Sequence, residues 1–156
     1  MLLSLMEREL AVTRELLDLL QHEYTALRAR DPAALQALVD AKSACTERLQ
    51  EIAGERLRFL VEGGFGADAA GLQAAIAANG TEGRFRLHAV WSDLTAVAER
   101  AWQQNTVNGA VISASRSNAE RALAILRGQD TSTCLYGQNA RASYGGGGGS
   151  RSLVKA

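Results

Sequence analysis

Histidine and cysteine, the residue types that most often carry catalysis, are rare in this sequence. Its 156 residues include two histidines, His22 and His88, and two cysteines, Cys45 and Cys134. Neither histidine belongs to a Ser-His or Cys-His arrangement of the kind that nucleophilic catalysis requires. We expect both histidines to be ordinary residues of helix surfaces, and we predict that the protein is not an enzyme.

The acidic and glycine-rich segments do not indicate a metal or phosphate site. Glutamates recur at helical spacing in two segments, but arginines are interleaved with them, which is typical of ion pairs on a solvated helix face. The sequence contains no Glu-x-x-His pair, and its cysteines and histidines do not have zinc-ligand spacing. The glycines at 63–66 and 145–149 lack the Lys-Ser/Thr of a phosphate loop. We therefore expect no cofactor and no metal, and a helical-bundle enzyme with a carboxylate metal site is the weakest hypothesis.

The charge balance argues against a polyanionic partner. Seventeen Lys and Arg residues offset seventeen Asp and Glu residues, so the protein lacks the net positive field that draws proteins to nucleic acids or anionic membranes. Charged residues interrupt every Leu-rich stretch before it reaches the roughly 20 residues of a membrane-spanning helix. Residues 1–6 lack the basic start of a signal peptide. We expect a cytoplasmic protein with no transmembrane segment that does not bind nucleic acid.

The composition and the spacing of apolar residues predict helices. The chain has one proline and is rich in Ala, Leu, Glu and Arg, which are strong helix formers. Residues 1–30 carry a heptad repeat in which Thr13 is the one polar residue of the apolar seam. Asp31-Pro32 predicts the start of a second helix, because Asp accepts from free amides at a helix start and Pro suits the first helical position.

Three further helices are predicted from Pro32 onward. The second helix covers 32–62, and Lys42 and Arg56 interrupt its apolar stripe; we expect their methylenes to cover apolar neighbours. A short Ala-rich helix with little apolar bulk covers 69–78, and a third long helix covers 81–127. The fold class is therefore all-α: an elongated up-and-down helical bundle of three long helices plus one short helix.

After Gly128 the composition changes. Residues 129–156 contain the run Gly145 to Gly149 and only scattered apolar residues with no helical period. Such a composition does not offset the entropy of ordering the chain. We predict a helical bundle domain over residues 1–128 and a flexible Gly-rich C-terminal tail over residues 129–156.

The third long helix has a small and polar middle. Asn105 and Asn108 lie on one helix face and precede Gly109, in a segment that otherwise favours helix. Such a face can bind a partner helix, or it can fix the internal register of the bundle as a buried Asn does in coiled coils. The candidate partner-binding residues are Asn105, Asn108, Gly109, Ile112, Ser115 and Ala119.

The order of these features resembles the FlgN-type flagellar type III export chaperone family. The elements that carry the resemblance are Leu27-Arg28-Ala29-Arg30-Asp31, then Leu35 and Leu38 before Lys42, Trp91 and Leu94, Asn105-x-x-Asn108-Gly109, Leu135-Tyr136-Gly137, and the terminal Arg151-Ser152-Leu153. They span nearly the whole chain. Each element is common by itself, and it is their order and spacing that resemble the family.

The resemblance implies a cytosolic, cofactor-free helical protein. Such a chaperone binds the C-terminal helical region of the hook-filament junction proteins FlgK and FlgL, prevents their aggregation and delivers them to the type III export gate. It also implies that Leu135, Tyr136 and Gly137 contact the export gate protein FlhA. The competing hypothesis is a structural coiled-coil or adaptor protein that acts by self-association.

Overall fold

The structure, a computed structural model, describes residues 1–128. It contains four α-helices: α1 (Leu2–Ala29), α2 (Pro32–Glu62), α3 (Ala69–Ala77) and α4 (Thr81–Leu126). These bounds confirm the predicted all-α fold of three long helices and one short helix. The chain divides into two compact units, of which the first comprises Met1–Ala114 and the second begins at Ser115.

The turn between α1 and α2 forms where the sequence predicted it. Arg30 adopts a left-handed conformation with φ of 54°, which ends α1. Oδ1 of Asp31 then accepts hydrogen bonds from the amides of Ala33 and Ala34 at 3.1 and 3.0 Å. Pro32 takes the first helical position of α2, where its missing amide hydrogen costs nothing. The short turn places α2 antiparallel to α1.

Two clusters of buried side chains form the core of the first unit. Leu72 and Ile76 of α3 are almost completely buried in the first cluster, although the sequence predicted little apolar bulk for this helix. The first cluster contains Leu2, Met6, Leu60, Leu72, Ala75, Ile76 and Leu87. The second contains Leu17, Leu20 and Ala101, with Leu16 and Val97 packed against it.

Residues 81–114 of α4 run parallel to α1. Leu87, near the start of α4, shares a cluster with Leu2 and Met6 near the start of α1. Asn108, further along α4, bonds to the backbone of Leu20, further along α1. Helix α1 therefore contacts both α2 and α4 along its length, which explains why it contributes more buried residues than either.

The second unit contains the C-terminal part of α4. From Ser115 to Gly128 the described side chains are exposed, except for the half-buried Ala124. Arg116 donates to Glu120 at 2.8 Å, and this hydrogen bond raises the pKa of Arg116. Three large apolar side chains are exposed in this part of α4: Leu123, Ile125 and Leu126.

Candidate functional site

A groove of about 860 Å³ opens between α2 and α4 in the first unit. Its volume lies in the upper part of the range of ligand-binding sites. Its floor is formed by α1 through Glu9, Thr13, Leu16 and Leu20. One wall is formed by α2 through Val39, Lys42, Ser43, Thr46, Leu49, Gln50, Ala53 and Arg56. The other is formed by α4 through Trp91, Leu94, Thr95, Ala98, Ala101, Trp102 and Asn105. We call this surface the α2–α4 groove.

The threonines of the α2–α4 groove present apolar surface to it. Thr13 and Thr46 donate their hydroxyl hydrogens at 2.7 and 2.8 Å to backbone carbonyls four and three residues earlier in their own helices. Thr95 donates in the same way to the carbonyl oxygens of Trp91 and Ser92. A threonine whose hydroxyl is bonded to its own helix leaves its methyl group for packing. These three positions therefore add to the apolar lining.

Two partly buried ion pairs join α1 to α2 along the groove. Nε of Arg56 donates to Glu9 at 2.8 Å, and Nζ of Lys42 donates to Glu23 at 2.6 Å. From the sequence, the methylenes of Lys42 and Arg56 are expected to cover apolar neighbours. In the structure their charged ends are also engaged, because α1 places a carboxylate beside each of them.

Sequence reasoning missed these pairs, although their spacing carried a signal. Glu9 and Glu23 are fourteen residues apart on α1, and Lys42 and Arg56 are fourteen residues apart on α2. Two heptads on a helix return a side chain to nearly the same direction. Two carboxylates and two cations with the same separation on neighbouring antiparallel helices therefore predict two equivalent ion pairs.

Asn108 fixes α4 to α1 at one end of the groove. Its Nδ2 donates to the carbonyl oxygen of Leu20 at 2.8 Å and to Oε2 of Glu23 at 2.7 Å. Its Oδ1 accepts from Gln104 at 3.0 Å, and only 1% of the residue is exposed. These contacts join α4 to α1, as the internal register role requires, which is one of the two roles that the sequence left open.

The other candidate partner-binding residues are exposed. Asn105 lines the α2–α4 groove, and Ile112 is 47% exposed. A Cβ added at Gly109 would meet no atom within 4 Å, so this position leaves space for close approach. Ser115 and Ala119 are exposed residues of the second unit. The three residues predicted to contact the export gate, Leu135, Tyr136 and Gly137, lie outside the described residues.

Trp102 is a groove residue that is not among the candidates predicted from the sequence. It lies on the α4 wall, three residues before Asn105, and is 66% exposed. Tryptophan is usually largely buried, so an exposed one beside an apolar groove marks a surface suited to a partner. The sequence did carry a signal for this residue. Trp102 is a large aromatic residue within the small and polar middle of α4, which has few apolar neighbours to bury it.

Cys45 has a structural role. The thiol is buried, and its Sγ donates to the carbonyl oxygen of Val12 at 3.5 Å. Burial raises the pKa of the Cys45 thiol, and the nearby carboxylate of Glu15 raises it further. A neutral, inaccessible thiol is a poor nucleophile and a poor metal ligand. Residues 1–128 hold no cluster of three metal-ligating side chains.

Within residues 1–128, no helix combines the length and the apolar character that crossing a bilayer needs. Each of the three long helices contains charged side chains, and the ion pairs described above use several of those on α1 and α2.

Comparison with known proteins gives two matches. Residues 1–143 match the sequence model of the FlgN protein family. The fold is similar to the crystal structure of a flagella synthesis protein FlgN from Pseudomonas aeruginosa, with a TM-score of 0.64 and 30% sequence identity over 71% of this chain and 85% of that chain. No curated protein matches the sequence. Because the family model spans most of its length, this chain belongs to the FlgN family of flagellar export chaperones.

Proposed function

We propose that the α2–α4 groove binds the C-terminal helical region of the hook-filament junction proteins FlgK and FlgL. The observation that carries the proposal is the groove itself, in which three helices surround an apolar trough that lacks a fourth helix. An amphipathic helix laid into such a groove buries its apolar face and completes a bundle. The chaperone would thereby mask an aggregation-prone segment stoichiometrically and deliver it to type III export. It would act in the cytoplasm without chemical turnover.

The exposed apolar groups at the rim support this function. Trp102 on α4 is 66% exposed and Val39 on α2 is 50% exposed, and both line the groove. An aromatic residue that becomes buried on binding commonly supplies a large part of the binding energy. The FlgN family membership of the chain supports an export substrate as the occupant.

The candidate residues of α4 have different roles in this proposal. Asn105 lies in the groove lining and would contact the partner directly. Asn108 is buried against α1 and would act as a positioning residue that sets the place of the α4 wall. Gly109, Ile112, Ser115 and Ala119 are exposed and would be further contacts for the export substrate.

A spectroscopic experiment tests occupation of the groove. The chain has two tryptophans, so Trp91→Phe leaves Trp102 as its single indole. Addition of a tryptophan-free C-terminal region of FlgK or FlgL should shift the emission of Trp102 to shorter wavelength, and light scattering should give a one-to-one complex. An unchanged emission spectrum in a proven complex would place the substrate elsewhere. Self-association of the chain with no substrate complex would favour the structural adaptor.

The second part of the proposal concerns delivery to the export gate. Leu135, Tyr136 and Gly137 would contact the cytoplasmic domain of FlhA once a substrate is loaded, as the resemblance of this segment to the family implies. Tyrosine is an efficient anchor because it buries a large area and has only two side-chain torsions to fix. Tyr136→Ala should abolish capture of the FlhA domain by the loaded complex and leave FlgK and FlgL binding unchanged. Unchanged capture of the FlhA domain would contradict this role.

A further inference from the structure

The two ion pairs beside the α2–α4 groove limit the kind of helix that it accepts. We propose that the groove selects a single helix whose inserted face is uncharged over about four turns, and that it rejects acidic and basic side chains on that face alike. This inference rests on the proposed function of the groove and specifies the class of helix that the groove recognises.

The length follows from the spacing of the ion pairs. Glu9 and Glu23 are fourteen residues apart on α1, which corresponds to about 21 Å along a helix axis. The α4 wall begins at Trp91 and ends at Asn105, which is also fourteen residues. The apolar part of the floor, from Thr13 to Leu20, lies within this span. An occupying helix therefore meets apolar lining for about four turns and ion-paired side chains at both ends.

The charge selectivity follows from the state of the charged groups in the lining. The charged lining residues are Glu9, Lys42 and Arg56. Arg56 donates to both oxygens of Glu9, at 2.8 and 3.3 Å, and Lys42 is bonded to the buried carboxylate of Glu23. An inserted charge of either sign would therefore lose its hydration and would have to displace one of these partners.

The uncharged polar groups of the groove allow it to accept neutral polar residues on the inserted face of the helix. The hydroxyls of Thr13, Thr46 and Thr95 are engaged by the backbones of their own helices. The amide side chains of Gln50 and Asn105 also line the groove, and an amide can serve as donor or acceptor. A neutral polar residue on the inserted face is thus accommodated at a moderate loss of affinity, whereas a charged residue is excluded.

A peptide series tests the selectivity on the intact chain. The probes are blocked amphipathic peptides of about 18 residues that carry Leu, Gln, Glu or Lys at one central inserted position. Calorimetry should give the affinity order Leu above Gln above both charged peptides, with Glu and Lys each weakening binding by about 30-fold or more. The same substitutions beyond the four-turn face should change the Kd by less than about threefold. A Glu or Lys peptide that binds within about threefold of the Leu peptide would overturn the inference.

A matched pair of variants locates the effect in the groove. Ala98 lies in the lining of the α4 wall, whereas Ala96 is an exposed residue of the same helix outside the lining. Ala98→Glu should weaken binding of the Leu peptide, and the Lys peptide should bind to this variant more tightly than the Glu peptide does. Ala96→Glu should leave the order of the peptides unchanged. An unchanged order in Ala98→Glu would overturn the assignment of this selectivity to the groove.

The outcomes separate this inference from the proposed function. If the peptides follow the predicted order but the C-terminal regions of FlgK and FlgL do not bind, the selectivity stands and the proposed partners are wrong. If FlgK or FlgL binds while the Leu peptide does not bind, or while the peptides show no charge discrimination, the proposed function stands and the single uncharged helix is wrong.

Discussion

Asn108 of α4 and Glu23 of α1, both buried, are joined by a hydrogen bond of 2.7 Å. The other carboxylate oxygen of Glu23 accepts from Lys42 of α2 at 2.6 Å. One buried carboxylate on α1 therefore holds both walls of the α2–α4 groove, and its charge is compensated by a cation and an amide as burial requires. The geometry of the groove depends on a side chain, Asn108, that lies behind the surface offered to a partner.

Removal of the Asn108 side chain should destabilise the protein. Asn108→Ala is expected to lower the free energy of unfolding by about 2 kcal/mol, because a buried hydrogen bond to a charged acceptor is lost. Asn108→Asp should cost more, since it places a second carboxylate beside Glu23. Urea denaturation measures both, and Asn105→Ala in the exposed groove lining is the control, with a change within about 0.5 kcal/mol. Equal stability of Asn108→Ala and Asn105→Ala would contradict the internal role of Asn108.

Replacing a core leucine and a groove leucine by alanine should have different effects on stability and on partner binding. Leu17 is 6% exposed and packs against Leu20 and Ala101, so Leu17→Ala should lower the free energy of unfolding by about 2 to 5 kcal/mol. Leu49 is a half-buried residue of the α2 wall, so Leu49→Ala should cost less stability and should weaken binding of the FlgK or FlgL region. Thermal unfolding and calorimetry measure the two effects. The opposite ranking in stability would mean that the groove wall, and not α1, carries the core.

Gly109→Ala should change stability and partner binding in opposite directions. A Cβ at this helical position meets open space, so the variant should be more stable by about 0.5 to 1 kcal/mol. If the partner helix approaches closely here, the added methyl group should weaken its binding by about tenfold. Gly54→Ala on α2 is the matched control, because its Cβ also meets no atom within 4 Å and Gly54 is not among the candidate partner-binding residues. Equal partner affinity of the two variants would remove Gly109 from the contact surface.

Burial of the Cys45 thiol should lower its reactivity and should make the free energy of unfolding depend on pH. In a Cys134→Ser variant, Cys45 should react with thiol reagents at pH 8 only after unfolding. The pKa of the Cys45 thiol is raised in the folded protein. The stabilisation that the neutral thiol provides is therefore complete below the pKa of an unfolded cysteine, roughly 8.5, and is lost as the pH rises through the pKa in the folded protein. Denaturation between pH 7 and pH 10 should show this loss, and Cys45→Ala should lack it. Rapid labelling of the folded variant would contradict burial of the thiol.

The elements with strong local signals could be predicted from the sequence. Asp31-Pro32 marked the boundary of α1 and α2, because capping and proline geometry are properties of a few adjacent residues. The heptad pattern likewise predicted the buried Leu10, Leu17 and Leu20 of α1.

The features that were missed depend on neighbours distant in sequence. Leu72 and Ile76 become core residues because α3 packs against α1 and α2, which nothing in its own composition shows. Glu23 is buried and Glu9 is partly buried because Lys42 and Arg56 lie opposite them. The groove is an absence of packing between α2 and α4, and a pattern within one helix cannot show which part of its apolar surface is left uncovered.

Binding of the partner in the α2–α4 groove is tested by the affinity of the C-terminal region of FlgK or FlgL for Ala98→Trp compared with Ala96→Trp. Both alanines are exposed residues of α4, but only Ala98 lines the α2–α4 groove, so an indole at this position should fill the space that the partner helix occupies. Calorimetry should show that Ala98→Trp weakens binding by about 30-fold or more while Ala96→Trp binds like the unmodified chain, with similar unfolding free energies for the two variants. Equal affinity of Ala98→Trp and Ala96→Trp would show that the partner does not bind in the groove.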